Sequence, residues 1–147
     1  MMLIDADDGT GASAPIWVTL GGGVKEGESL LEAAERELFE ETGIINAEVG
    51  PVVWHGEQVI RRGGALVQVS EHFVLVRTGQ QALSTAGWSA QEREAIADLR
   101  WWSLDELHST EQVIKPPAFA ELVERLLDGD VQREQPRRIV LSTDGGV

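Results

Sequence analysis

A fold of the α/β or α+β class, with a mixed sheet covered by helices, is what the order of local patterns predicts for this chain: strand, loop, helix, hairpin, strand, helix. Three observations carry that expectation. A β-branched and aromatic run, Ile16 to Leu20, feeds directly into Gly21-Gly22-Gly23. Leu31, Ala34 and Leu38 recur at i, i+3 and i+7, one apolar stripe of a helix. Two long strand-like segments, Ala47 to Ile60 and Ala65 to Arg77, flank Arg61-Arg62-Gly63-Gly64, the composition of a hairpin turn.

Taken in order, Met2 to Asp5 is a short apolar run of strand character, and Asp7 to Ala14 is a turn-rich loop. After the glycines, Ser29 or Glu28 opens a helix, and Gly43 is a good residue to end it in the left-handed conformation. In the second hairpin strand Val67, Val69, Phe73 and Leu75 share one face, while Gln68, Ser70 and His72 take the other. Thr78 to Glu92 is a polar loop. Leu99 to Trp102 reads as a short strand, with Trp101 and Trp102 facing opposite sides. Ser103, with Glu106 three residues later, forms a capping box for a short helix. Pro116 or Pro117 opens a last helix that buries Phe119, Leu122, Leu126 and Leu127. The tail is mostly polar, with Ile139 to Leu141 a candidate edge strand. The expectation is one domain over residues 1–147, with about 131–147 as a tail or edge strand.

Composition removes several classes of function. With no cysteine, disulfides, thiolate catalysis and Cys-ligated zinc are excluded, and a reducing cytoplasm is the default location. No apolar run approaches the roughly 18 residues of a membrane span, and the start, MMLIDADDG, lacks a secretory pattern. Net charge is −13, so nucleic acid and anionic membranes are poor partners. A polyanionic substrate needs local help from metal ions, backbone N–H groups or a few arginines.

The chemistry concentrates in Gly22 to Ile44. Glu37, Glu40 and Glu41 lie within an arc of roughly 100° on the predicted helix, at the rim of the apolar stripe, with Arg36 on a neighbouring part of the wheel. Clustered like charges are unfavourable in a bare helix, and the helix C-terminus disfavours anions. A bound cation relieves both penalties. The glycines let backbone approach a ligand closely. Mg²⁺ takes oxygen ligands and typically combines a few carboxylates with substrate phosphates. The alternative, a solvated acidic face, explains the charge and leaves the glycines unexplained.

These residues spell a known pattern. Gly22-x5-Glu28-x7-Arg36-Glu37-Leu38-x-Glu40-Glu41-x-Gly43-Ile44 resembles the signature of the Nudix hydrolase family at every defined position. Seven fixed residues coincide by chance on the order of once in 10⁸ to 10⁹ starting positions, which separates this motif from a lone glycine loop. It covers 23 of 147 residues. The flanks are also similar, with a W-x-x-x-GGG entry strand and the segment Arg100 to Leu107 (RWWSLDEL). The resemblance implies an α/β/α sandwich with a central mixed sheet. It also implies Mg²⁺- or Mn²⁺-dependent hydrolysis of a nucleoside diphosphate linked to another moiety, a small-molecule substrate. Carried over residue by residue, it makes Glu37, Glu40, Glu41 and the Gly22 carbonyl metal ligands, unless one glutamate, Glu37 among the candidates, acts instead as general base. Glu28 and Arg36 orient helix and loop. Dimers are common among similar proteins, so the resemblance admits a homodimer. A catalytically silent nucleotide sensor of the same fold is the alternative; its usual mark is loss of a box glutamate, and all are present.

The chain also departs from the family. Leu20 stands where many relatives have proline. Asp7 to Ala14 replaces a longer strand and turn with substrate-facing arginines, and no basic residue precedes Lys25. Members often use a further carboxylate outside the box; Glu92 and Glu94 are candidates by position. Glu71 is another, because it alternates onto the face of Val69 and Phe73, an awkward place for a bare carboxylate. Arg61 and Arg62 at the hairpin tip are candidates to reach a phosphate. Among the five tryptophans, Trp17 and Trp54 are either core residues, the better-supported reading, or platforms for a base. His55, His72 and His108 show no metal-ligand spacing.

Overall fold

The computed structural model describes residues 1–7, 13–129 and 135–142. Most of the loop expected at Asp7 to Ala14, and much of the expected tail, lie outside them. The element order is β1 (Met2–Asp7), β2 (Ser13–Val18), α1 (Leu30–Thr42), β3 (Ala47–Arg62), β4 (Ala65–Thr78), α2 (Ala90–Ala95), β5 (Ile96–Leu99), α3 (Leu104–Ser109), α4 (Phe119–Leu127) and β6 (Arg137–Arg138). This is the mixed α/β class that the sequence predicts. The strands divide into two three-stranded sheets, β2-β1-β5 and β4-β3-β6.

In the first sheet β1 is central and antiparallel to both neighbours. It pairs with β2 along its length, from Met2↔Val18 to Asp7↔Ser13. On the far side of β2 the backbone of Trp17 is claimed by a passing segment: its N–H donates to Val113 O (2.9 Å) and its carbonyl accepts from Lys115 N (2.9 Å). This fixes the end of β2 from which the glycine loop departs. The strand expected at Leu99 to Trp102 lies earlier, at Ile96–Leu99. Ile96 is its buried residue, and the Ser103 capping box starts α3 too soon for Trp101 and Trp102 to extend a ladder.

In the second sheet β3 and β4 form the long antiparallel hairpin, turning through Gly63-Gly64, and β6 adds to β3 in parallel. The predicted alternation in β4 holds: Val67, Val69, Glu71 and Phe73 are half-buried while Gln68, Ser70 and His72 are exposed. A core cluster of Val53, Trp54, Ile139 and Leu141 sits here, with Phe73, Leu75, Phe119, Leu122, Val123 and Leu126 packed on it. Trp54 meets Phe73 at 5.8 Å and Phe119 edge-on at 6.0 Å. Leu127, expected on the buried side of α4, is 71% exposed. Val123, one turn after Phe119, packs on the core instead, and Leu127 is the last helical residue. Trp17 and Trp54 are both buried, so neither is available as a base platform. Among the described residues no helix is long and apolar enough to cross a membrane.

Candidate active site

The box helix α1 begins at Ser29, whose side chain accepts from Glu32 N while Glu32 accepts from Ser29 N, a reciprocal capping box. It ends at Gly43, which is left-handed at φ 70° and returns its N–H to Phe39 O. Between these caps the buried residues are Ala33, Leu38, Glu41 and Thr42. Leu31, assigned to the buried stripe by periodicity, is 42% exposed. The helix therefore turns Glu41 fully inward and Glu37 largely so, while the Glu40 side chain, 41% exposed, stays at the rim of the covered face.

Arg36 organises the site. Its Nε and Nη2 donate to the two oxygens of Glu28 (2.7 and 3.0 Å), and Nη2 also donates to Gly23 O (3.0 Å). Its Nη1 donates to Glu37 Oε1 (2.6 Å) and Glu40 Oε2 (3.3 Å). These contacts match the five N–H donors a guanidinium possesses. One cation thereby ties the loop, the residue before the helix and two of the box carboxylates together. The Arg36 guanidinium, with the Lys25 N–H bonded to the same carboxylate (2.9 Å), holds Glu28 down at about 2. Glu28 in turn, with Glu37, keeps Arg36 more firmly protonated.

Glu41 has the opposite environment. It is 3% exposed. Burial pushes its carboxyl up to about 7, against the Gly21 N–H that donates to its Oε2 (2.9 Å), and the negative charges of Glu37, Glu92 and Glu40 add to the rise. A buried carboxylate ringed by others and met by one backbone donor is a group that a cation would stabilise. Gly22 contributes by lacking a side chain: a Cβ there would lie 2.6 Å from the Glu37 carboxyl carbon.

Among the described residues no three acidic or imidazole side chains already form a cation cage. Glu37 and Glu40 face Arg36, and Glu41 faces Gly21. The donor set nevertheless fits a hard divalent cation, because it is all oxygen, one member is buried without compensating charge, and Gly22 leaves room against Glu37.

The other candidates are more scattered. Glu92 is close enough to disfavour ionisation of Glu41, but its carboxylate accepts from Ser89 N (2.6 Å) in the capping box of α2. Glu94 is exposed on the same helix. Glu71 lies in β4 and accepts from Gln58 Nε2 (2.6 Å), which answers the question of its half-buried charge. Arg61 folds onto Gly64 O (3.2 Å) at the hairpin tip. Among the described residues, none of Arg61, Glu71 and Glu94 bonds to the box. Sequence reasoning missed Trp88, whose indole N–H donates to Glu41 O (2.8 Å). Its signal was a Gly-Trp pair in a polar loop, with no motif around it.

Residues 5–123 match the NUDIX domain family. The chain is also similar to Nudix hydrolase 19, chloroplastic, of Arabidopsis thaliana, with 35% identity over 106 residues, or 72% of this chain and 21% of that protein. The chain thus spans about a fifth of the length of the relative it matches.

Proposed function

The chain belongs to the Nudix family, and from that premise we propose that it is a divalent-cation-dependent pyrophosphohydrolase acting on a nucleoside diphosphate linked to another moiety. The observation that carries the proposal is the buried, uncompensated Glu41 carboxylate beside the Gly21-Gly22 backbone, on the same helix as the Arg36 cluster. Glu40, Glu41 and the Gly22 carbonyl would hold Mg²⁺ or Mn²⁺, with Glu37 acting instead as general base. When bound, the cation neutralises the diphosphate and makes water a better nucleophile at neutral pH.

The chain's own residues do the rest. Glu28 and Arg36 fix the glycine loop to the helix. Glu37 keeps Oε1 on Arg36, which leaves Oε2 to take a proton from the attacking water as its oxygen bonds to phosphorus. The anhydride P–O bond breaks, and the second phosphate departs with that electron pair. Glu92 is the proposed fifth carboxylate of the site, by its position beside Glu41. A net charge of −13 argues for a small-molecule substrate over nucleic acid or an anionic membrane, and a chain without cysteine suits the cytoplasm.

The test is a panel of nucleoside diphosphate derivatives incubated with Mg²⁺ or Mn²⁺, with products separated and identified. The expected result is cation-dependent release of a nucleoside monophosphate or of inorganic phosphate products from at least one compound. Tight binding across the panel without turnover would replace the enzyme with a sensor of the same fold.

A further inference from the structure

We propose that the loop between β4 and α2, residues 79–89, is a clamp on the last turn of α1, with Trp88 as a positioning residue for Glu40 and Glu41. The inference rests on the reading of that helix as a cation-dependent active site.

A helix ends with carbonyls that have no partner within it, and basic side chains in the last turn commonly meet them. The last turn of α1 contains no basic residue. The carbonyls of Glu41, Thr42 and Gly43 are met from outside instead, all three by one loop. Trp88 Nε1 donates to Glu41 O (2.8 Å), Ser84 N donates to Thr42 O (2.8 Å), and Gln80 Nε2 donates to Gly43 O (3.3 Å). Gly87 lies flat on the helix end: a Cβ there would sit 3.1 Å from the Glu40 carbonyl carbon and 3.2 Å from its Cα, closer still to its oxygen. That approach is open to glycine alone without a shift of the helix end or the loop.

The loop is itself anchored. Arg93 Nη2 donates to Thr85 O (3.2 Å) and Ala86 O (3.4 Å), and the Trp101 indole donates to Gln81 O (2.9 Å). This gives exposed Trp101 a task that its sequence position did not suggest.

The consequence for Glu41 is that the residue is held at both ends. Its carboxylate is bonded to the Gly21 N–H on one side and its carbonyl to Trp88 on the other. Glu40 is pinned between Arg36 and the Gly87 backbone. Where cation ligands must meet within a few tenths of an ångström, a last turn free to fray would misplace both carboxylates. Because the loop runs directly into α2, it also sets where Glu92 stands relative to Glu41.

The test uses Trp88→Phe, which keeps a ring and removes the N–H, and Gly87→Ala, which inserts the clashing Cβ. Val123→Ala, on the face of α4 that packs on the core and away from the box, serves as a stability control. Mn²⁺ affinity is read by electron paramagnetic resonance of free Mn²⁺, alongside thermal unfolding in EDTA and kcat and KM separately. Loss of one hydrogen bond predicts that Trp88→Phe raises the Mn²⁺ Kd about three- to tenfold. It should lower kcat with little change in KM. Gly87→Ala should weaken Mn²⁺ at least as much, and Val123→Ala should unfold earlier yet bind Mn²⁺ like the wild type.

Wild-type Mn²⁺ affinity in both loop variants overturns the clamp and leaves the active-site reading standing. An equal affinity loss in Val123→Ala also overturns it, since general destabilisation then suffices. A wild-type chain that binds no Mn²⁺ overturns the active-site reading and the clamp with it.

Discussion

Replacing Glu41 by glutamine should make the cation-free protein more stable at alkaline pH while disabling it. The folded carboxyl sits at about 7 against 4.5 for a free one. Between those values the folded chain binds a proton that the unfolded chain has lost, so wild-type stability falls as pH rises from about 4.5 to about 7 and stays low above. At about 1.4 kcal/mol for each pH unit, the full effect is about 3 kcal/mol, and residual solvent screening reduces it to the range of about 1–3 kcal/mol. Glutamine does not titrate, and its amide oxygen can still accept from Gly21 N–H. The assay is urea unfolding at pH 5, 6, 7 and 8.5 in EDTA. The variant should match the wild type near pH 5 and exceed it at pH 8.5. Added Mn²⁺ should close the gap by stabilising the wild type selectively. Turnover should fall roughly a hundredfold or more, because a ligand for developing charge is lost. A wild-type curve flat from pH 5 to 8.5, or a variant less stable throughout, would refute the claim that Glu41 is strained by burial.

Arg36→Lys replaces a five-donor fork with a point charge, so it cannot hold Glu28, Gly23, Glu37 and Glu40 together; kcat/KM should drop about ten- to a hundredfold, and a value within twofold of wild type would remove Arg36 as the organiser. Gly22→Ala drives a methyl against the Glu37 carboxylate and should cost about a hundredfold in kcat, with thermal unfolding little changed; full activity would show that the loop has slack there. Glu28 is held down at about 2, so its pairing with Arg36 contributes stability above about 4.5 that is lost as pH falls through about 2; acid unfolding of Glu28→Gln, followed by circular dichroism, should be shallower over that window than wild type. Leu127→Ala should change stability by less than about 0.5 kcal/mol, whereas Leu126→Ala should cost about 2 kcal/mol or more; equal costs in urea unfolding would put Leu127 back in the core.

The legible parts of this chain were those governed by local rules. Ser29, Gly43 and Ser103 mark helix ends through capping chemistry that depends on a few neighbouring residues, and all three act as caps. The hairpin turn and the alternation in β4 follow from glycine placement and the two-residue period. The box was legible because its residues stand at fixed offsets along one glycine loop and the helix that follows it.

What failed to show was set by tertiary contact. Periodicity assigned Leu31 to the buried stripe because it weighs hydrophobicity; it has no means of recognising that the helix buries Glu41, a carboxylate, and leaves Leu31 at the surface. The strand at Ile96–Leu99 is short, and its register depends on β1, almost a hundred residues earlier. Ile139 and Leu141 enter the core as the chain runs on from the two-residue strand β6. The docking of residues 79–89 on the end of α1 rests on one indole N–H, one backbone N–H, one side-chain amide and one glycine, and a sequence presents these as an ordinary polar loop.

The most direct test of the central claim follows ³¹P nuclear magnetic resonance of a nucleoside diphosphate derivative turned over by the wild-type chain in Mg²⁺. The account predicts that the diphosphate signals convert to phosphate monoester signals, that EDTA stops the conversion, and that Glu41→Gln slows it by roughly a hundredfold or more. Conversion that continues undiminished in EDTA, or at the wild-type rate in Glu41→Gln, would contradict it.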